Sequence, residues 1–363
     1  MMKLAVYLSG HGLGHAARTC EVLRHVSVVR ASCPQETTDV SVEITSSVPP
    51  SFLQREIGSS RITVRSAALD VGLVQAGNRE IDWNETQRQV SLLRQQTDML
   101  LREEEEYLQR GGFHAVYSDM PTLAIRAAAR AGLPSIVLTN FTWDQIYAAC
   151  PDPYLFSPDD LAILRQDLAQ ATRCLVPALN LPIPHPSPEP VGLISRLGQA
   201  RRSELLADLG LPTQTRLVLV YLGAWGDRLP TEITRPDPLT AYLSFHPLPA
   251  PVHQISSDRW PFHDVLASVD AMLAKPGYGV VASALAHGVR LVHHSREEFA
   301  EYPALLRALT EANNVQVISL EDLETGNWAW SVEKALSRPT PIPQEASGAK
   351  VTATIIDEIL SRY

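Results

Sequence analysis

Residues Leu4 to Arg18 read LAVYLSGHGLGHAAR. The first six form a short apolar run bounded by glycine, as expected of a strand buried in a parallel sheet. Apolar side chains then recur at helical spacing, at Ala17, Cys20, Val22, Leu23 and Val26, and predict a helix over 16–30 with Gly14 and His15 at its start. The opening unit is therefore strand, glycine loop, helix. The same grammar returns along the chain. VSVEITS (Val40–Ser46) and RITVRSA (Arg61–Ala67) read as strands, Trp83–Gln109 as a long helix, and AVYSDM (Ala115–Met120) as another strand. Leu123–Ala131 reads as a helix closed by Gly132 and Pro134, and SIVLTNF (Ser135–Phe141) as the strand after it. Such alternation implies an α/β fold with right-handed crossovers.

Six prolines between Pro177 and Pro190 cannot lie inside a helix and predict a stiff extended connection. Beyond it the alternation resumes. A helix is expected over Ala200–Leu209, strands at Arg216–Gly223 and Val252–Ser256, a helix at His263–Leu266 and a strand ending at Ala274. The helix Gly279–His287, strand Val289–Ser295, helix Tyr302–Ala312 and strand Asn314–Leu320 follow. The expected architecture is two Rossmann-like domains facing a central cleft: 1–175, a linker over 176–195, and 196–340. In a last segment, 341–363, the helix Ala349–Leu360 is expected to pack back on the first domain.

The chain has 363 residues, 45% hydrophobic and 20% charged, enough for two cores without disulfide or metal staples. A net charge of -9 and no long basic block exclude nucleic acid as the main partner. Cys20, Cys33, Cys150 and Cys174 lack CxxC spacing, so neither a disulfide framework nor a thiolate zinc site is expected. Met1–Ser9 is too short for a signal sequence, and no run reaches about twenty apolar residues. A cytoplasmic protein with no stable membrane insertion is the expectation.

In doubly wound sheets, ligands collect at the loops leaving the carboxyl ends of strands. Gly10-His11-Gly12-Leu13-Gly14-His15 is one such loop. It spells neither GxGxxG nor a P-loop, so neither a dinucleotide nor a Walker-type triphosphate site is read there. A neutral imidazole at His15, favoured at the positive end of a helix, could take a proton from a sugar hydroxyl. Both histidines could instead satisfy hydrogen bonds around a tight turn. A zinc pair at His11 and His15 is a third reading, for which no further ligand stands out. Lys275-Pro276-Gly277-Tyr278-Gly279 is the second loop: glycines beside a helix start make an anion nest to which Lys275 adds charge, or else a simple turn. Gly223-Ala224-Trp225-Gly226 is a third glycine-rich edge.

Three segments, GHGLGHAAR (Gly10–Arg18), SDMP (Ser118–Pro121) and TNFTWDQIY (Thr139–Tyr147), resemble the N-terminal half of GT-B-fold glycosyltransferase-like proteins, including the transferase-like region of L-arabinokinases. Asp270–Tyr302, DAMLAKPGYGVVASALAHGVRLVHHSREEFAEY, is similar to the nucleotide-sugar domain of the peptidoglycan N-acetylglucosaminyltransferase. With no kinase segment in the sequence, arabinokinase activity is not expected. The resemblance implies His15 as base and Asp119 as the carboxylate orienting it, where the residues alone allow a turn cap. Gly12 and Gly14 would approach the donor phosphates and, with His11, the acceptor. Trp143 and Asp144 would hold the acceptor, Trp143 alternatively being ordinary packing. Arg196, Gly223, Lys275, Gly277, Tyr278 and Gly279 would hold the donor's diphosphate side, and Glu301 and Tyr302 its sugar. One departure stands out: the glutamate that grips the donor ribose in relatives is Ser283 here.

The implied activity is transfer of a sugar from a nucleotide-diphosphate donor, a UDP-sugar, to an unknown acceptor hydroxyl. Neither a bound metal nor a resident cofactor is expected. A non-catalytic nucleotide- or sugar-binding protein and a nucleotide-sugar epimerase are the competing expectations.

Overall fold

The computed structural model describes residues 2–26, 40–59, 62–76, 80–222, 229–235 and 237–363. They form two compact units, Met1–Ile194 joined by Ser347–Tyr363, and Ser195–Ala346.

The first unit is built on a seven-stranded sheet. In chain order its strands are β1 (Met2–Leu8), β2 (Val40–Thr45), β3 (Ile62–Arg65), β6 (Ala115–Asp119), β7 (Ser135–Leu138), β8 (Arg173–Pro177) and β9 (Pro188–Gly192). A small antiparallel pair, β4 (Gln75–Ala76) and β5 (Glu80–Ile81), lies outside it. The sheet order is β3-β2-β1-β6-β7-β8-β9, parallel throughout. Both faces of β1 are buried, which is why LAVYL carries no polar alternation. Leu4, Val6 and Leu8 join one core, while Ala5 and Tyr7 join the other with Leu101, Leu108 and Val116.

Helices α1 (Leu13–His25), α2 (Pro50–Ile57), α3 (Trp83–Gly111), α4 (Thr122–Arg130), α5 (Trp143–Ala148) and α6 (Pro158–Leu168) link these strands. α1 starts three residues before the expected Ala16 and ends at His25. α3 begins where the Asp82 carboxylate accepts the Glu85 amide at 2.9 Å, an N-cap at the end where the helix dipole favours negative charge.

The proline-rich stretch corrects an expectation. It is not connection alone, because Pro188–Gly192 pairs in parallel with β8 as the last strand of the first sheet. Proline is tolerated there because an edge strand needs only one side of its backbone for the ladder.

The second unit holds β10 (Arg216–Tyr221), β11 (Thr240–Ser244), β12 (Val252–Gln254), β13 (Ala271–Ala274), β14 (Arg290–His293) and β15 (Val315–Val317). Their order, β12-β11-β10-β13-β14-β15, is again parallel. Its helices are α7 (Arg202–Asp208), α8 (Phe262–Leu266), α9 (Tyr278–His287), α10 (Tyr302–Glu311), α11 (Leu320–Thr325) and α12 (Ala329–Leu336). Residues 341–346 stay with this unit, the Gln344 amide donating to the Leu285 carbonyl at 2.9 Å. The chain then returns to the first unit as α13 (Gly348–Leu360), whose Ile356, Ile359 and Leu360 share a core with Leu4 and Val6.

Candidate functional site

Strand order reverses direction between β1 and β6 in the first unit and between β10 and β13 in the second, the places where doubly wound sheets bind ligands. Residues 223–228, with the expected donor residue Gly223, lie outside the described residues.

In the first unit, the Ser9 amide donates to the Asp119 carbonyl at 3.1 Å and ties the two switch-point loops together. Gly12 enters α1 with φ 73°, a left-handed backbone that glycine adopts without strain. No atom lies within 4 Å of a Cβ built at Gly12 or Gly14, so the backbone there is open to approach. One turn of α1 then aims His15 and Arg18 at the fully buried Asp119 at the end of β6.

The Arg18 guanidinium donates Nε to Asp119 Oδ2 at 2.8 Å and Nη2 to Oδ1 at 2.6 Å, and Thr19 Oγ1 donates to Oδ2 at 2.7 Å. Arg18 also donates Nη1 to Asn140 Oδ1 at 2.5 Å. Burial pushes the Asp119 carboxyl up, but the Arg18 charge, with hydrogen bonds from Arg18 and His15, holds it well below the usual carboxylate range. His15 Nδ1 stands 3.0 Å from Asp119 Oδ1. Arg18 Nη2 lies at the same 3.0 Å from Nδ1. A neutral ring that donates Nδ1–H to the carboxylate carries its lone pair on Nε2, the form a general base requires, whereas one that accepts from Arg18 carries it on Nδ1. The geometry thus joins His15 to Asp119 and adds Arg18, Thr19 and Asn140. The signal for Arg18 is its place one turn after His15 in GHGLGHAAR.

The residues expected to meet an acceptor are arranged differently. His11 Nδ1 accepts the Leu73 amide at 3.1 Å, and its ring lies edge-on to Trp143 at 5.3 Å. Gly72, with φ 69°, makes room for that ring, since a Cβ there would come within 2.6 Å of it. Trp143 is only 3% exposed and stacks on Tyr147 at 6.0 Å, so its face is taken by protein rather than offered to a sugar. Its Nε1 donates to Asp70 Oδ2 at 2.9 Å. Asp144 is likewise buried and receives Arg165 Nε at 2.7 Å. The carboxylate left beside the glycine loop is Asp70, which sequence reasoning misses because a lone Asp in SAALDVGLVQ carries no spacing signal. It is half-buried and also hydrogen-bonded by Ser9. Burial pushes its pKa up, against those hydrogen bonds and the nearby His15. Asp70 lines a cavity of about 620 Å³ that opens between the β1 loop, the Ala68–Leu73 stretch and α3.

In the second unit, β13 delivers Lys275-Pro276-Gly277 to the start of α9, where no side chain caps the helix and a Cβ at Gly277 would meet nothing within 4 Å. Tyr278, the first residue of α9, is buried, and Gly279 follows it in the first turn. Arg296 was missed by sequence reasoning. It is 6% exposed, lies 3.2 Å over the Phe299 ring, and directs Nη1 at the Pro276 carbonyl, 3.5 Å away, while its Nη2 is buried without a partner. Lys275 Nζ stands 5.9 Å from the same ring. Burial and the neighbouring Arg296 charge bring the Lys275 pKa down to about 8; burial brings that of Arg296 down to about 10. Two cations thus crowd an uncapped helix start, an arrangement suited to an anion.

Ser283, expected on the donor side, is buried. It is 5% exposed, its Oγ lies 3.1 Å from Ser195 Oγ, and its carbonyl accepts His287 Nδ1–H at 2.8 Å. Arg196 follows Ser195 and is half-buried. Glu301 precedes α10 and offsets the charges of Lys275 and Arg296, whereas Tyr302 is buried edge-on against His293 at 5.8 Å. Among the described residues no group of three or more His, Cys, Asp or Glu is placed to hold a metal, and no helix is long and apolar enough to cross a membrane.

Two parallel doubly wound sheets with these switch-point loops define the GT-B fold. No family model matches the chain. It is 29% identical to L-arabinokinase of Arabidopsis thaliana over 98% of its own length, and spans 34% of that protein. Among solved structures it is similar to the calicheamicin glycosyltransferase CalG4, with a TM-score of 0.58, 15% identity, and 99% of this chain and 94% of that one covered. It is also similar to the UDP-GlcNAc 2-epimerase of Neisseria meningitidis, bound to UDP-GlcNAc, with a TM-score of 0.55, 13% identity and all of both chains covered.

Proposed function

We propose that the chain is a nucleotide-sugar-dependent glycosyltransferase that moves a sugar from a UDP-sugar to an acceptor hydroxyl. The observation that carries this reading is the His15–Asp119–Arg18 cluster, an imidazole oriented by a buried, ionised carboxylate beside an open glycine loop. In the reaction, His15 Nε2 accepts the hydroxyl proton as the acceptor oxygen bonds to the anomeric carbon. The bond from that carbon to the diphosphate oxygen breaks, and its electron pair leaves with the nucleoside diphosphate. Lys275, Arg296 and the first amides of α9 receive that charge, Arg196 adds to it, and Glu301 meets the donor sugar. The nucleotide sugar is a substrate, and the reading invokes no resident cofactor. A cytoplasmic setting accords with Cys20, Cys150 and Cys174 being free thiols.

The test is turnover of UDP-hexoses with a mixed hydroxyl-acceptor panel. His15→Ala is expected to lower kcat by about 10²–10⁴ while leaving the thermal shift given by UDP intact. Unchanged turnover removes His15 from the mechanism. Ser283, closed off by Ser195, favours a second reading, a non-catalytic nucleotide-binding protein. UDP binding without transfer or hydrolysis across the panel supports it. The epimerase neighbour gives a third reading, which interconversion of a single UDP-sugar without acceptor would support.

A further inference from the structure

The cavity of the first unit has a lining whose chemistry selects its occupant. One wall is a face of α3 on which Gln89, Leu92, Leu93 and Gln96 recur at helical spacing, carboxamides beside apolar side chains. Asp70 and Ser47 line the same cavity. Arg88 is the one Lys or Arg among the described lining residues; it grips Glu85 through two bonds of 2.6 Å, and Gln89 Nε2 donates to the same carboxylate at 2.9 Å. The cavity therefore presents a carboxylate, the Gln96 carboxamide and the Gln89 carbonyl oxygen, with its one guanidinium paired to Glu85. A phosphate or carboxylate on the occupant would face Asp70, with only the start of α1 at Gly12 to offset the repulsion. A sugar hydroxyl, by contrast, donates to a carboxylate oxygen and accepts from an amide, while the C–H face of the ring lies on Leu92 and Leu93. The volume of about 620 Å³ is within the range of small-molecule sites.

We propose that this cavity is the acceptor site and takes a neutral polyhydroxylated molecule of mono- or disaccharide size, with Asp70 as the group that binds its hydroxyls. The assignment as acceptor site rests on the glycosyltransferase reading; the ligand class rests on the lining alone. Asp70 suits the task because Trp143 Nε1 at 2.9 Å and Ser9 fix its carboxyl, and each carboxylate oxygen can accept more than one hydrogen bond.

The experiment measures binding without a donor, so its outcome is separate from transfer. Saturation-transfer NMR and calorimetry are run on the full chain with glucose, xylose, myo-inositol and maltose, against glucose 6-phosphate and the planar phenol 4-methylumbelliferone. At least one neutral sugar or polyol is expected to bind, its phosphate ester at least tenfold more weakly. Asp70→Ala is expected to weaken that binding at least tenfold, with partial recovery in Asp70→Asn, which keeps one acceptor oxygen. Leu92→Trp tests the site independently of the polar network. It fills the cavity from a residue 42% exposed on α3 and is expected to abolish binding in a protein with unchanged unfolding temperature. Silence across the neutral panel, preference for the phosphate or the phenol, or binding indifferent to both Asp70→Ala and Leu92→Trp overturns the proposal. Sugar binding without transfer in any donor assay leaves the ligand class standing and overturns the transferase reading, and with it the acceptor role.

Discussion

Asp119 carries two roles that substitution separates. Its carboxylate neutralises a guanidinium that is 4% exposed, so Asp119→Ala leaves Arg18 charged and buried without its counter-ion. A loss of about 3–5 kcal/mol in stability is expected, read as a lower denaturant midpoint. His15→Ala leaves the Arg18–Asp119 pair in place, so it is expected to spare stability while lowering turnover. If both variants lose stability equally, the histidine belongs to the scaffold rather than to the chemistry. The sign of the pH effect follows from the depressed Asp119 pKa. Its contribution is complete above the unfolded value of about 3.9 and is lost as pH falls below it toward the folded value. Stability measured stepwise downward from about pH 5 should therefore fall less steeply in Asp119→Asn than in the unaltered chain.

At the scale of elements, the loop between β13 and α9 makes its own prediction. Lys275 titrates at about 8, against an unfolded value of about 10.4. In that window the unfolded chain binds more protons than the folded one, so the unliganded second unit gains stability as pH rises. Binding of UDP moves the other way: it draws on the protonated lysine and is expected to weaken as pH rises through about 8. Lys275→Arg keeps the charge and should flatten that slope, and Arg296→Ala should weaken UDP at every pH. Calorimetry from about pH 7 to 9 checks both, and a slope unchanged in Lys275→Arg places the anion elsewhere.

Elements such as these were legible because glycine and lysine at a strand-to-helix junction announce a turn and a charge. β1, β6 and β13 were equally plain, being apolar runs closed by loop residues. β9 was hidden, since prolines that forbid a helix look the same in an edge strand as in a linker. β11 was missed because TAYLS holds only three apolar residues between Thr240 and Ser244, too short a run to stand out. Among site residues, His15 and Asp119 could be found by position in their loops. The burial of Trp143 and Ser283 could not, because it depends on Tyr147 and Ser195, partners that local patterns do not reveal.

At the scale of the molecule, the chain closes its first unit last. α13 follows the whole of Ser195–Ala346 in sequence, yet its Ile356, Ile359 and Leu360 complete the core around Leu4, Val6 and Leu23. At about 1.5–3 kcal/mol for each fully buried side chain of this size, those three contribute roughly 4–9 kcal/mol, comparable with the whole stability of a domain. Truncation after Ala346 is therefore expected to unfold the first unit, with its β1 loop and cavity. The second unit keeps every strand of its sheet and should retain a cooperative transition. Calorimetric scans of the two chains test this: the truncated protein should lose one transition and the binding of any sugar, yet still show a UDP-dependent shift in the other. Survival of both transitions means that α13 only covers a core which the first 194 residues already form. Loss of both means that the units fold as one, and that the anion site at Lys275 depends on the return of the chain.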